Sequence, residues 1–118
     1  MTKQTAKINA NRIRRQIRIR TKIHGTAVRP RLAVNRSLRY LSAQVIDDQI
    51  GKTLVGLTEQ KMKLKGTKTA RAEEFAVRLA AELQKKNITA IVFDKRHYLY
   101  HGRIKIFADS LRKQGIQF

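Results

Sequence analysis

A chain of 118 residues with 27 Lys and Arg against 8 Asp and Glu, a formal net charge of +19 and no cysteine, has room for one domain. Disulfides, thiolate metal sites and cysteine nucleophiles are excluded, and no apolar run approaches the ~20 residues that span a bilayer. The charge is also uneven: twelve basic residues precede the first acidic one, Asp47, and a chain that keeps such self-repulsion points to a polyanionic partner, phosphate backbones above all.

The opening residues, MTKQTAKINANRIRR, lack the apolar stretch of a secretory signal. Ile13 and Ile17 stand four apart, as on a helix, whereas Ile17-Arg18-Ile19-Arg20 alternates as a strand does. Residues 1–28 are expected to be a basic N-terminal extension, flexible when free and ordered on its partner. Gly25 and Pro30 mark its junction with a globular domain over 29–118. There Arg31 to Asn35 alternates as a strand, Ser37-Leu38-Arg39 turns, and Tyr40 to Ile46 reads as a second strand. Asp47 to Gly51 has turn chemistry, and Lys52 to Thr58 reads as a third strand, giving an antiparallel meander.

Glu59 to Gly66, with Lys61, Lys63 and Lys65, reads as a polar loop. Thr67 or Thr69 caps a helix in which Ala72, Phe75, Ala76, Leu79, Ala80 and Leu83 form one apolar stripe. Lys85 and Lys86 suit its negative end, and Asn87 suits a left-handed stop. Ala90 to Phe93 is a continuous apolar run, predicted as a strand covered on both faces and parallel to its neighbour. After a loop over Asp94 to Tyr100, Ile104, Phe107, Ala108 and Leu111 form a second helical stripe, which Gly115 ends. Ile116 and Phe118 then fold back as an apolar clasp. The predicted class is α/β: a small mixed sheet in the order β-β-β-α-β-α with two packed helices.

The acid-free extension, with Arg12, Arg14, Arg15, Arg18, Arg20 and Lys22, suits nucleic acid; residues 1–28 hold no Phe, Trp or Leu, which counts against a membrane surface. Arg29, Arg31, Arg39, Lys63, Lys65 and Lys68 extend the basic set. Arg36-Ser37-Leu38-Arg39-Tyr40 is either a basic patch beside a platform for unpaired bases or an ordinary turn with Tyr40 in the core. Lys95 to Arg103 packs three cations, two tyrosines and two histidines into nine residues before a helix, where Arg103, His101 and the backbone near Gly102 suit phosphate. His97 and His101 with Asp94 make a poor metal site beside those cations. The alternative is a metal-dependent nucleic-acid-processing enzyme using Asp47, Asp48, Asp94 or Asp109. Asp47-Asp48 reads more simply as a turn and Asp94 as a strand end. No nucleophile–base set and no glycine-rich phosphate loop is present, so neither an enzyme nor a cofactor is expected.

Arg36-Ser37, Ser42 to Asp48, Phe93-Asp94, Tyr98-Leu99-Tyr100-His101-Gly102-Arg103-Ile104-Lys105, Gly115 and Phe118 together resemble the bacterial-type ribosomal protein L18 family over residues 12–118. The resemblance implies a mixed α/β domain with a basic extension, both lying on 5S ribosomal RNA in the central protuberance of the large subunit. It further implies large-subunit rRNA and neighbouring large-subunit proteins, number five among them, as partners. Membrane attachment, self-association and enzyme activity are not implied. The location it implies is the ribosome, in the cytoplasm or in an organelle. The RNA-contacting positions it suggests are the arginines of the extension, Arg36, Ser37, Tyr98, Tyr100, His101 and Arg103. The chain departs from the family in three places. Lys95-Arg96-His97 replaces a run that commonly ends in two small residues, Asn35 stands where an aromatic is usual, and Asn87 where glycine is.

Overall fold

A computed structural model of the protein describes residues 3–20 and 23–118. The elements are α1 (Lys3–Arg20), β1 (Arg31–Arg36), β2 (Leu41–Asp47), β3 (Lys52–Thr58), α2 (Glu59–Met62), α3 (Lys68–Lys85), β4 (Val92–Asp94) and α4 (Arg103–Lys113). The sheet order is β3-β2-β1-β4, antiparallel through the meander and parallel between β1 and β4. That is the mixed α/β sheet predicted from the sequence.

Alternation along the strands gives the sheet one apolar face. Leu32, Val34, Leu41, Ala43, Val45 and Val55 are buried on it, with Leu32 opposite Val45 and Val34 opposite Ala43. The helical stripes of α3 and α4 cover this face; Phe75 and Phe107 meet at 5.4 Å between ring centroids. The other face carries Arg31, Ala33, Asn35, Ser42 and Gln44, and it lines an open groove rather than a second core.

The caps follow local chemistry. Thr67, rather than Thr69, caps α3: its Oγ1 accepts from the Ala70 N–H at 3.2 Å. Asn87 takes the left-handed conformation at φ 59°. Ile116 is buried and Phe118 stacks on Phe93 at 5.4 Å, which forms the clasp. Gly25 lies so close to the Arg31 N (2.4 Å from an added Cβ) and the Ile46 O (2.6 Å) that no side chain fits there. Its N–H donates to Asp48 Oδ2 at 2.8 Å, which pins the chain entering β1 to the turn after β2.

Three expectations change. The competing helical and extended readings around Ile17 resolve as helix, because α1 runs unbroken to Arg20. The segment from Glu59 is not a plain polar loop: it opens with the helical turn α2, capped by Thr58, and Glu59 is only 2% exposed. Its carboxylate accepts from the Leu41 N–H at 2.9 Å and pairs with Arg71 at 3.5 Å, so an acid in a charged stretch became a buried tie. The strand expected over 90–93 begins only at Val92 and runs to Asp94. Ala90 instead bridges Gln117, and Val92 and Phe93 are only partly buried because just one sheet face is covered.

Candidate nucleic-acid interface

The β1–β2 turn, the loop before α4 and one side of α1 converge on a groove of about 650 Å³. It is lined by Arg12, Arg15, Arg36, Ser37, Leu38, His97, Tyr98, Leu99 and Arg103, none of them acidic. Arg12 and Arg15 are one helical turn apart, so both reach the same side of α1. Arg15 and Arg18 border an adjoining groove with Lys95, Arg96 and His97. With its amide oxygen turned inward, Gln16 accepts from Arg96 Nη2 and Nε at 2.8 and 2.9 Å, which ties α1 to the 95–99 loop.

The turn itself is held by cations. Ser37 closes it: its N–H donates to the Tyr40 carbonyl at 2.9 Å, and its Oγ accepts from the Tyr40 N–H at 3.0 Å. The carbonyls of Ser37, Leu38 and Arg39 then accept from Arg103 Nη2 (2.7 Å), Lys68 Nζ (2.8 Å) and Arg71 Nη2 (3.3 Å). Lys68 and Arg103 therefore brace the turn as well as adding charge. Tyr40 sits between the two readings given to it: half-buried, with the Arg71 guanidinium 5.9 Å from its ring centroid.

Two residues expected to touch RNA have their polar groups bonded inside the protein. Tyr98 is 8% exposed. Its hydroxyl accepts from the Arg36 N–H at 3.0 Å and shares its own proton between Asn35 Oδ1 (2.9 Å) and the Arg36 carbonyl (3.1 Å). The Arg36 guanidinium lies 4.8 Å from its ring centroid, and Tyr98 lines the groove with little of its surface exposed. Arg31 has an 11% exposed side chain bound to Asp48 Oδ2 and Asp94 Oδ2, both at 2.9 Å. Burial opposes its charge, but the hydrogen bonds and proximity of the two carboxylates outweigh that, and its pKa is raised. Asp48 and Asp94, candidates for a metal site, thus converge on a guanidinium. Asp47 forms a turn, accepting from the Gln49 N–H at 3.0 Å.

The remaining predicted positions are spread out. Arg14, Arg29, Arg39, Lys63, Lys65 and His101 are exposed and do not line the groove. Tyr100 is exposed, edge-on to Phe93 at 6.2 Å, and its hydroxyl accepts from Arg112 at 3.4 Å. Lys22 and the Arg20 side chain lie outside the described residues. The sequence reading did not name His97 and Arg96 for RNA, although the cation density of 95–103 pointed to them, and both line these grooves. Arg96 stands at φ 59°, in the left-handed region, held by its N–H to Asp94 Oδ1 (2.8 Å) and its Nη1 to Asn35 Oδ1 (2.9 Å).

The groove's lining carries basic side chains and no acidic one. Arg103 has its pKa lowered, by burial first; Arg36 and Arg71 push it the same way against the pull of Glu59. His97 is lowered by burial and then by Arg12, Arg96, Arg36 and Arg15. Such a site is built for an anion. Comparison with known proteins agrees: the family described as "Ribosomal L18 of archaea, bacteria, mitoch. and chloroplast" matches residues 6–118. The chain belongs to the ribosomal L18 family. It is 47% identical to the large ribosomal subunit protein uL18 of Brachyspira hyodysenteriae over 95% of this chain and 96% of that one. It is also 47% identical to the uL18 of Mycoplasmopsis pulmonis over 96% and 99%, and to that of Caldicellulosiruptor saccharolyticus over 95% and 96%. Membership makes the chain a structural constituent of the ribosome rather than an enzyme. Its bacterial relatives put that ribosome in the cytoplasm.

Proposed function

We propose that this L18 family member binds 5S rRNA and helps attach it to the central protuberance of the large subunit. Large-subunit rRNA and the large-subunit protein numbered five would be its neighbours there. Residues 1–28 act as a basic arm on the globular part, and the protein works as a single copy away from membranes. The groove between α1, the β1–β2 turn and the 95–103 loop is the centre of the contact, flanked by Arg14, Arg18, Arg39, Lys63, Lys65, Tyr100 and His101. The observation that carries the reading is the convergence of Arg12, Arg15, Arg36 and Arg103, from three separate parts of the chain, on a groove with no acidic lining residue. Arginine suits this role because its planar fork meets two phosphate oxygens at once. Phosphate contacts would fix position, and the shape of the RNA would give selectivity.

The test is a titration of 5S rRNA at about physiological salt with excess tRNA as competitor. Binding that survives the competitor is expected; binding that tRNA erases overturns the assignment of 5S rRNA as partner. Replacing Arg12, Arg15 and Arg36 together with alanine should weaken binding by about two decades at low salt. It should also flatten the salt slope by about 0.7–0.9 per lost phosphate contact. An unchanged slope would remove the groove from the interface.

A further inference from the structure

Among the described residues, four buried side-chain atoms lack a hydrogen-bond partner: Glu59 Oε2, Arg71 Nε, His97 Nδ1 and Arg103 Nη1. The first two face each other as an ion pair at 3.5 Å. The other two belong to residues that line the same arginine groove. A buried polar atom without a partner is costly, so two residues of one groove carry a cost that an acceptor reaching them can relieve. Resting on the RNA-binding reading above, we propose that this groove seats a single phosphate group against His97 and Arg103, and that His97 takes up a proton when the phosphate enters.

The argument is one of charge geometry. His97 shares its two grooves with Arg12, Arg15 and Arg18 of α1, Arg36 at the end of β1, Lys95 and Arg96 of its own loop, and Arg103 at the start of α4, and the Tyr98 ring is 4.3 Å away. Asp94, the acid nearest in sequence, has its oxygens taken by Arg31 Nη1 (2.9 Å) and the Arg96 N–H (2.8 Å). With no anion in the groove, burial first and then Arg12, Arg96, Arg36 and Arg15 disfavour a proton on His97, and its pKa is lowered. A phosphate dianion or diester neutralises those cations and presents acceptor oxygens. The same ring then gains from protonation, since a charged imidazolium donates from both nitrogens and its bond to phosphate is charge-assisted. No covalent bond changes; one proton moves from solvent to His97 as the anion enters. By reciprocity, if the anion favours the proton, the proton favours the anion. Affinity therefore rises as pH falls from the bound-state pKa through the lower free-state one. One linked proton limits the gain to about tenfold per pH unit. The ligand is a phosphate group because the groove offers convergent guanidinium forks and a histidine, the donors that match tetrahedral oxyanions.

The experiment uses the full chain. The His97 Hε1 resonance is followed by NMR against pH, free and with 5S rRNA bound, and RNA affinity is measured from about pH 7.5 to about pH 6 for the unaltered protein and for His97→Gln. Expected are an upward move of the His97 midpoint on RNA binding, and an affinity gain of about three- to tenfold toward low pH that the His97→Gln profile lacks. The difference between the two profiles removes any contribution of His24 and His101. RNA that binds while the His97 midpoint stays still overturns the inference and leaves the RNA reading standing. RNA that fails to bind at every pH overturns that reading instead. Inorganic phosphate titrated against the free chain then decides the groove: a raised His97 midpoint supports the anion seat, and an unmoved one ends it.

Discussion

Two arginines of this chain, Arg31 and Arg103, are both largely withdrawn from solvent, yet they do opposite things. Arg31 lies under the sheet's open face between Asp48 and Asp94, each 2.9 Å away, and its charge is spent inside the protein. Arg103 lies at the other end of β1, where Nη2 donates to the Ser37 carbonyl at 2.7 Å and Nη1 is buried with no partner. One region is a neutralised clasp that closes the fold; the other is a cationic groove left open to a ligand. The difference teaches that in a chain of net charge +19 the count of basic residues says little about where RNA is held. What matters is where the eight acidic residues went. The carboxylates of Asp48 and Asp94 are drawn to Arg31, and Glu59 to Arg71, and no acid is among the residues lining the groove.

Removing the clasp should give the largest change. Arg31→Leu strands Asp48 and Asp94, and the expected cost is about 3–5 kcal/mol in chemical denaturation. The salt slope of RNA binding should stay the same, and a reduced slope would mean that Arg31 also reaches phosphate. Tyr98→Phe comes next. It deletes the hydroxyl that joins Arg36 and Asn35, and should cost about 1–3 kcal/mol of stability with the salt slope intact. A loss of RNA affinity with no loss of stability would return Tyr98 to the list of RNA contacts. Arg103→Met should reverse the pattern. Stability should change by less than about 1 kcal/mol, because a bond to Ser37 is lost while a buried orphan donor is removed. RNA affinity should fall about tenfold at low salt.

The smallest effect concerns the free protein. The His97 pKa is lower in the folded chain than the ordinary 6.5 of an unfolded one, so the unfolded state takes up a proton first as pH falls. The stability tied to His97 is present above about pH 6.5 and is lost as pH drops through the folded-state pKa. Thermal unfolding of the protein and of His97→Gln between about pH 7.5 and pH 5 should diverge toward the acid end. Parallel curves would mean that neither burial nor the arginines around His97 disfavour its charge.

Much of the fold was legible in the chain because it rests on short-range periodicity. Leu32 and Val34, or Phe75, Ala76, Leu79 and Leu83, face one way whatever else the chain does, and the connection through α3 implies the parallel pairing of β4 with β1. The candidate site was legible only as an inventory. Arg12, Arg15, Arg36 and Arg103 were all named, but so were Arg31 and Tyr98, and nothing local separates the two groups. The separation depends on partners far along the chain: Arg31 finds Asp94 63 residues away, and Tyr98 finds Arg36 62 residues away. Glu59 was misread for the same reason, since its partner Leu41 lies 18 residues back across a strand.

By itself, then, the sequence determined the strands of the meander, the helical stripes and the sign of the partner, because side-chain period and summed charge are properties of neighbours along the chain. Only the tertiary structure decided which cations are cancelled and which face a ligand, because a charge is neutralised by what lies within a few ångströms of it, and sheet order, not sequence order, sets that distance.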